Sequence, residues 1–566
     1  MPRDAPPAKV RARSAVALLL TAIVLAALAF GRNEAMVSDL EWPGLDTQYR
    51  ELAAAQTMLD EGYGPDSAYR QERVWYNPMA PWVISGLTRL TGAAPRTIVA
   101  RSGPWINLLA PAALFLIIAL VFDLVTAVAG TAAFVFIIGA AFPFYYAATY
   151  SPWFGPENFG QALFYLGLLV ALTAFEREFA IGRALVLGVA LGLTFLTHTA
   201  PALVLGCCMV ALAFWQGRTS GRWRDAAGTL FGALAVAFAV SLPFGIQILF
   251  HYRLKVVNAF PGLSPSDFLD LNELPHVIRA TATLPALAGV VALVWRLGRR
   301  PSDRGTRLVL VWGGVVSVFL AAHVVAMLAE RAGLNVPAIV PAFHFFYYLM
   351  PLVALGFGLA VRDLSALAIG WIGRRRGRWA VAANDWRSAV GAALATALIV
   401  GLYFPQYLRR PDFHEMRDRA ARMNREMPAA AYDWIRTQTD PQAVFLCSDD
   451  LSLYVVSPAG RKVVATNRYF SSPYVAWEQR DRDRAEMFGR LAAGDLAGFR
   501  ALAERYQVAY LMLPEQAPSD FWLRVSGMVR ADVPRLRAGD LAAQPGFDLA
   551  FRGAGVAIVA VRYPPG

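Results

Sequence analysis

Eleven apolar stretches dominate this chain, and most are close to the roughly 20 residues that a helix needs to cross a bilayer. They occupy residues 14–31, 104–122, 124–144, 161–175, 183–197, 201–216, 227–249, 279–296, 308–329, 345–361 and 388–406. The composition agrees, since 57% of the 566 residues are hydrophobic and only 17% are charged. The predicted fold class is therefore an α-helical multi-spanning membrane protein with about eleven transmembrane helices.

The first apolar stretch has two interpretations. It follows the basic residues Arg3, Lys9, Arg11 and Arg13, as the apolar region of a secretory signal peptide does. However, no small-residue cleavage site is obvious after it, and many spans follow. We therefore favour an uncleaved first transmembrane helix.

The basic residues are distributed unevenly between the segments that connect the spans. With the N-terminus inside, the inner segments hold 20 Lys and Arg residues, whereas the short outer segments hold only Arg253, Lys255 and Arg331. By the positive-inside rule, the long first loop (32–103) and the C-terminal part lie outside a plasma membrane, here a bacterial inner membrane. This bias accounts for the net charge of +12 without a nucleic-acid partner.

The composition changes after Pro405, which divides the chain into a predicted membrane core (1–406) and a C-terminal extracytoplasmic domain (407–566). Charged helical patterns alternate there with short apolar runs, which is typical of a small α/β domain. The predicted strands are 442–448, 462–466, 507–513, 547–552 and 555–562, and the predicted helices are 426–438, 450–456, 478–492 and 496–505. Three cysteines offer neither a disulfide framework nor a zinc-binding spacing.

The segment 38–78 of the first outer loop is unusually rich in carboxylates and aromatic side chains. It could be a solvated loop, or it could be an active site at the membrane surface. Carboxylates can act as general bases or hold a divalent cation, and aromatic rings suit a sugar or the lipid interface. Asp46 precedes a helical pattern, so helix capping is the structural alternative to catalysis.

Other outer segments contribute further polar candidates. They are Glu157 and Asn158 in 145–160, His198 between two apolar stretches, His251 and Arg253 in 250–278, and Glu330, Arg331 and His344 in 330–344. Cations among them could neutralise a departing phosphate. The structural alternatives are interfacial anchoring and an ion pair between Glu330 and Arg331.

The order of motifs in the first loop points to a known family. Asp46-Thr-Gln-Tyr49-Arg50 is followed by a helical stretch that ends at Gly62-Tyr63, and then by Trp75-Tyr76-Asn77-Pro78. This order resembles the first outer loop of GT-C superfamily glycosyltransferases, which include oligosaccharyltransferase catalytic subunits and protein mannosyltransferases. The loop 154–160, FGPENFG, lies where that family carries an acidic motif. The resemblance covers residues 1–406 in layout but only about 45 residues in motif.

The resemblance implies an inverting glycosyltransferase that uses a polyprenyl-phosphate-linked sugar donor at the outer face of the membrane. Its acceptor would be a glycan, lipid or protein of the cell envelope. The catalytic aspartate would be Asp46, with Asp39 as the alternate, and Glu157 and Glu330 would hold Mg²⁺ or Mn²⁺. The expected substrate-binding residues are Tyr49, Trp75, Glu157, Asn158, His198, His251, Arg253, Arg331 and His344.

Two departures from the family pattern shape the alternatives. The second outer loop carries one carboxylate where the family carries a pair, and the C-terminal part lacks a Trp-Trp-Asp-Tyr-Gly segment. Transfer to an asparagine sequon is therefore disfavoured, although transfer of a preassembled oligosaccharide stays open. A lipid or glycan transporter would carry charges within its spans and often repeated halves, neither of which the sequence has. A non-catalytic assembly protein would tolerate the loss of Asp46.

Overall fold

The structure is a computed structural model, and it describes residues 8–138, 150–258, 275, 278–279, 282–299, 303–334, 340, 343–375, 386–515 and 536–563. The end of the predicted span 124–144, much of the outer segment 250–278, and residues 376–385 between the last two predicted spans lie outside the described residues.

Each predicted span contains at least one helix among its described residues. The helices up to residue 251 are α1 (Ala8–Val37), α2 (Asp46–Glu61), α3 (Met79–Thr91), α4 (Pro95–Arg101), α5 (Gly103–Ile106), α6 (Leu109–Val121), α7 (Leu124–Ala132), α8 (Pro156–Ala174), α9 (Ile181–Thr197), α10 (Thr199–Ser220) and α11 (Trp223–Ile246). Those that follow are α12 (Leu284–Arg299), α13 (Arg304–Arg331), α14 (Phe343–Arg375), α15 (Trp386–Leu408) and α16 (Pro411–Glu426). Helices α7 and α11 continue as the π-helical turns Ala133–Ile137 and Gln247–His251.

Within the described part of the chain, seven helical segments are long and apolar enough to cross a membrane. They are Ser14–Val37, Gly103–Val121, Thr199–Ser220, Trp223–His251, Arg304–Arg331, His344–Trp371 and Ala389–Glu426. The prediction of a multi-pass helical membrane protein is confirmed, whereas the count of eleven spans stays a prediction.

By their internal contacts, the residues form two compact units. One contains 1–39, 102–241 and 262–417, and is called here the helical unit. The other contains 40–101, 242–261 and 418–566, and is called the mixed unit. The first loop thus groups with the C-terminal residues, and the division at residue 406 stays a prediction.

The helical unit packs its helices closely through glycines. A Cβ atom on Gly356 of α14 would collide with the carbonyl oxygen of Gly289 on α12, and one on Gly289 would collide with the carbonyl oxygen of Val353. On the same helix, a Cβ on Gly358 would meet the backbone of α7 at Thr126 and Gly130. Small residues let the backbones approach in this way, and dispersion then stabilises the contact where lipid removes the hydrophobic driving force.

The mixed unit contains a five-stranded sheet in the order β2-β1-β3-β5-β4. Its strands are β1 (Val444–Leu446), β2 (Lys462–Val463), β3 (Val508–Pro514), β4 (Phe547–Gly553) and β5 (Val556–Val561). The first three are parallel, and β5 runs antiparallel to both β3 and β4. The helices α17 (Ala429–Gln438), α18 (Asp449–Leu451), α19 (Trp477–Ala492), α20 (Leu496–Tyr506) and α21 (Ala538–Ala542) accompany it. The prediction of a C-terminal α/β fold is confirmed.

The glycine contacts of α14 lead to a stability prediction. Replacing Gly356 by alanine should destabilise the protein, because the new methyl group forces α14 and α12 apart. Thermal unfolding in detergent, followed by tryptophan fluorescence, should show a clear fall in melting temperature. Gly370→Ala is the matched control, since Gly370 lies on the same helix with no atom within 4 Å of the added Cβ. Equal melting temperatures for the two variants would contradict the packing argument.

Candidate active site

In the helical unit, three predicted site residues from distant parts of the chain come together. Glu157, His198 and His344 each offer a ligand atom, and these atoms lie within 4.8 Å of one another. Both histidines are buried, and their ring centroids are 4.8 Å apart. The sequence predicted these residues individually, and the fold gathers them into one polar cluster.

Helix ends position the three members of this cluster. Glu157 lies in the first turn of α8, and His344 lies in the first turn of α14. His198 is an extended residue that both ends α9 and begins α10. In a bilayer, the backbone N–H and C=O groups of a span find hydrogen-bond partners only within a helix. Polar side chains of this kind therefore gather where helices end.

Two contacts hold α8 against its neighbours at this level. A Cβ on Gly160 would lie 3.1 Å from Pro201 and 3.5 Å from the Cβ of His198, so the missing side chain permits a close approach. The buried Gln161 donates from Nε2 to the Tyr347 carbonyl at 2.6 Å, which ties α8 to α14. The cluster is therefore built on packed helices rather than on a loose loop.

The donor set of the cluster fits a transition metal better than Mg²⁺. Two imidazoles and one carboxylate are the ligand types of zinc and related ions, whereas Mg²⁺ prefers six oxygen ligands. His198 Nδ1 accepts the amide N–H of Ala200 at 3.2 Å, which places the proton of the neutral ring on Nε2. A metal ion bound to His198 would displace either the Ala200 amide from Nδ1 or the proton from Nε2. Glu330, at the end of α13, is not a member of the cluster.

In the mixed unit, Asp46 is the first residue of α2, and Leu45 is the N-cap. The capping alternative for Asp46 therefore does not describe its place in the helix. Its Oδ1 accepts hydrogen bonds from Arg419 and, at 2.7 Å, from the Tyr454 hydroxyl. Burial raises the pKa of Asp46, and the nearby Arg419 and Tyr454 oppose that rise. Both hydrogen bonds fall on the same oxygen, so Oδ2 is the oxygen that can take a further proton.

Two adjacent cations of the C-terminal sequence fix the end of α2. The buried Arg461 pairs with Asp60 at 3.0 Å, and the buried Lys462 pairs with Glu61 at 2.8 Å. Lys462 also donates to the carbonyl oxygen of Asp66 at 2.7 Å. Charges buried this deeply need such partners, because an unpaired one would be strongly destabilising.

A small cavity of about 40 Å³ adjoins α2 in the mixed unit. Arg50 and the buried Glu51 form an ion pair of 2.7 Å in its wall, and the Arg50 guanidinium lies 3.6 Å from the centre of the Tyr76 ring. The predicted residue Trp75 also lines it. The cavity has room for a water molecule or a single hydroxyl group rather than for a whole sugar.

The remaining predicted residues have other surroundings. Asp39 makes an exposed 2.6 Å ion pair with Arg417, and the fully buried Tyr49 donates to the Pro43 carbonyl at 2.9 Å. His251 is exposed and packs edge-on against Tyr252. Asn158 is buried in α8, while Arg253 and Arg331 are exposed. The predicted roles of these residues, catalytic for Asp39 and substrate-binding for the others, stay predictions.

Sequence reasoning missed the partners of α2. The partners of α2 lie more than 350 positions after Asp46 in the chain: they are Arg419, Tyr454, Arg461 and Lys462. No local pattern sets the first two apart from surface residues. Two adjacent cations in a short apolar run were the one available signal, because such a run is otherwise expected to be buried.

Comparisons with known proteins identify the fold. No family model matches this sequence, and no curated protein sequence matches it. Among solved structures, the Archaeoglobus fulgidus oligosaccharyltransferase in its apo form matches with a TM-score of 0.53 and 13% identity, covering 88% of this chain and 69% of that chain. ArnT from Cupriavidus metallidurans, bound to undecaprenyl phosphate, matches with a TM-score of 0.52 and 14% identity, covering 96% of this chain and 99% of that chain.

A third match is the archaeal oligosaccharyltransferase AglB from Archaeoglobus fulgidus in complex with an inhibitory peptide and a dolichol-phosphate. It has a TM-score of 0.52 and 13% identity, and it covers 88% of this chain and 69% of that chain. These proteins are GT-C glycosyltransferases. The chain therefore has the GT-C fold, and the resemblance predicted from the first loop is confirmed at the level of the fold.

The carboxyl group of Asp66, beside the small cavity, leads to a pH prediction. Burial raises its pKa to about 6, although the amides of Ala68 and Tyr69 donate to it at 2.8 and 2.7 Å. Because an unfolded Asp has a pKa of about 4, the folded protein holds this proton more tightly. The stability from this group is thus complete below about pH 4 and is lost as the pH rises through about 6.

Asp66→Asn keeps an oxygen acceptor but cannot titrate. Relative to this variant, the wild type should lose about 3 kcal/mol of stability between about pH 4 and pH 7, from a shift of about two pH units. Thermal unfolding of both proteins in detergent across this range measures the change. Parallel stability curves would show that Asp66 does not titrate in this way.

Proposed function

We propose that the protein is a membrane glycosyltransferase that transfers a sugar from a polyprenyl-phosphate-linked donor to an acceptor of the cell envelope. The observation that carries this proposal is the match to ArnT, which extends over 96% of this chain and 99% of that chain. ArnT was solved with undecaprenyl phosphate and AglB with a dolichol-phosphate, so two proteins with this fold bind polyprenyl-phosphate lipids.

The position of the reaction follows from the charge bias of the sequence. The basic inner segments put the first loop, with Asp46, and residues 407–566 on the outer side of the bacterial inner membrane. Donor lipid and acceptor would then meet at the outer face.

Asp46 is the proposed general base. Its raised pKa makes the ionised carboxylate a better proton acceptor than an ordinary aspartate, and the Arg419 charge favours the ionised form. With Oδ1 engaged by Arg419 and Tyr454, Oδ2 would accept the proton of the acceptor hydroxyl. The deprotonated oxygen attacks the anomeric carbon, the bond to the lipid phosphate breaks, and the configuration inverts.

The cluster of Glu157, His198 and His344 is the proposed site of one divalent transition-metal ion. Two imidazole nitrogens and a carboxylate suit zinc and related transition-metal ions better than Mg²⁺, which was one of the two ions expected from the sequence. When bound, such an ion supplies positive charge that stabilises a departing phosphate.

Transfer of a preassembled oligosaccharide is the second candidate. The match to the archaeal oligosaccharyltransferase covers 88% of this chain, which favours it. The smaller chain, however, covers only 69% of that enzyme. Single-sugar transfer is favoured because the match to ArnT spans both chains almost completely.

The first test is loss of transfer in Asp46→Asn. Purified protein supplied with a polyprenyl-phosphate sugar should release polyprenyl phosphate, and the variant should be slowed at least ~100-fold, as expected when a general base is removed. Asp433→Asn is the control, because Asp433 makes only a partly exposed ion pair with Arg96. Full activity of Asp46→Asn would remove Asp46 from the mechanism. Loss of activity in Asp39→Asn alone would assign the base to Asp39.

The second test is the metal content of the purified protein. We expect about one zinc-type ion per chain by elemental mass spectrometry, lost in His198→Ala and in His344→Ala. The matched control is His414→Ala, a histidine on α16 whose ring binds the Leu408 carbonyl at 2.8 Å. Wild-type protein that stays free of metal after exposure to Zn²⁺ would overturn the metal proposal and leave the glycosyltransferase proposal standing.

A further inference from the structure

A large apolar cavity in the helical unit is lined by none of the candidate catalytic residues. Its volume is about 300 Å³, and its walls are almost entirely apolar. Helices α1, α6 and α7 form it, with Ala26 and Ala29 on α1, Phe115 on α6 and Val128 on α7. Nothing in the proposed sugar transfer uses this cavity.

The cavity opens on the surface of the protein that faces lipid. Leu19 and Ile23 line it, and they are also exposed on α1, the span with the smallest buried share among the seven. A dry apolar space that opens toward the bilayer takes up hydrocarbon rather than water.

A cation follows the cavity on the same face of α1. The lining positions 19, 22, 26 and 29 recur at intervals of three or four, and this series continues at Arg32 and Asn33. At this level Phe30 packs edge-on against the exposed Trp105, an arrangement typical of the membrane–water interface. Arg32 therefore lies at the depth of lipid headgroups.

The surroundings of Arg32 leave positive charge at this point. Its guanidinium lies over the rings of Tyr407 and Phe413, at 4.6 and 4.9 Å from their centres. Its hydrogen bonds go to the Asn33 side chain at 3.3 Å and the Leu408 carbonyl at 3.5 Å, both long. Among the described residues, no carboxylate lies within ion-pair distance of Arg32.

The neighbouring charges are already paired or turned away. The Arg410 guanidinium lies over the ring of Phe413, which also contacts Arg32. Arg410 forms an ion pair with Asp412 at 2.9 Å. Glu34 follows Arg32 by two residues, which places it on nearly the opposite side of α1. The ring of Tyr407 also contacts Phe136, a residue of the cavity wall, at 4.8 Å between centroids. The apolar cavity and the Arg32 cation thus form one continuous path through Phe136 and Tyr407.

We propose that this path is a binding site for one anionic phospholipid of the surrounding bilayer. One acyl chain fills the cavity between α1, α6 and α7, and the phosphate accepts charge-assisted hydrogen bonds from Arg32. The bound lipid joins the lipid-facing α1 to the rest of the helical unit. The inference rests on charge and shape alone and does not depend on the proposed sugar transfer.

The test measures lipid retention by native mass spectrometry of protein released from nanodiscs of mixed phosphatidylglycerol and phosphatidylcholine. Wild-type protein should retain one phosphatidylglycerol. Arg32→Gln should weaken retention by about tenfold, the effect of losing one charge-assisted hydrogen bond. Ala26→Phe, which fills the cavity, should abolish it.

Matched controls separate the site from general lipid contact. Ala27→Phe adds the same ring to an exposed position on α1, and Arg218→Gln removes an exposed arginine in the last turn of α10. Both should retain the lipid as the wild type does. If Arg32→Gln and Ala26→Phe retained phosphatidylglycerol as the wild type does, the site would be overturned. If the wild type retained phosphatidylcholine as well as phosphatidylglycerol, charge recognition would be overturned. Displacement by added polyprenyl phosphate at lower concentration would overturn the phospholipid as its occupant.

Discussion

The bilayer is the constraint from which the rest of this structure follows. Hydrocarbon offers no hydrogen-bond partners, so each spanning segment must satisfy its own backbone as a helix. Polar chemistry is thereby confined to the places where helices begin and end. The cluster of Glu157, His198 and His344 illustrates the result, since all three residues lie at helix ends and none lies in the middle of a span.

Close helix packing is the second condition for such a cluster. Gly160 lets α8 approach the turn at His198, and Gln161 reaches the backbone of α14. Neither residue carries chemistry of its own. Both set the separation of the side chains that do, because the position of a ligand atom on a helix end is inherited from the packing of the whole helix.

The sequence predicted much of the fold because two strong signals were available. Apolar runs of membrane length located the helices, and short apolar runs between charged helices located the strands from β1 to β5. The predicted strand 462–466 shortened to Lys462–Val463, since a pattern of hydrophobicity does not say how many residues find a partner strand.

The candidate site was only partly predictable. Polar residues at the ends of apolar runs pointed to Glu157, His198 and His344, but not to their meeting, which depends on which helices are neighbours. The Arg419 and Tyr454 partners of Asp46 were invisible for a different reason. Their pairing depends on tertiary contacts over hundreds of residues, which a single sequence does not encode in any local pattern.

The paired contacts of α2 have a consequence for the boundaries of the molecule. The consecutive residues Asp60 and Glu61 form ion pairs with the consecutive residues Arg461 and Lys462. Two adjacent pairs fix the orientation of the two segments as well as their contact. A chain cut after the last span would leave two carboxylates without their cations, on the same helix that begins with Asp46. The C-terminal residues thus stabilise the first loop within the mixed unit, and removing them would destabilise α2.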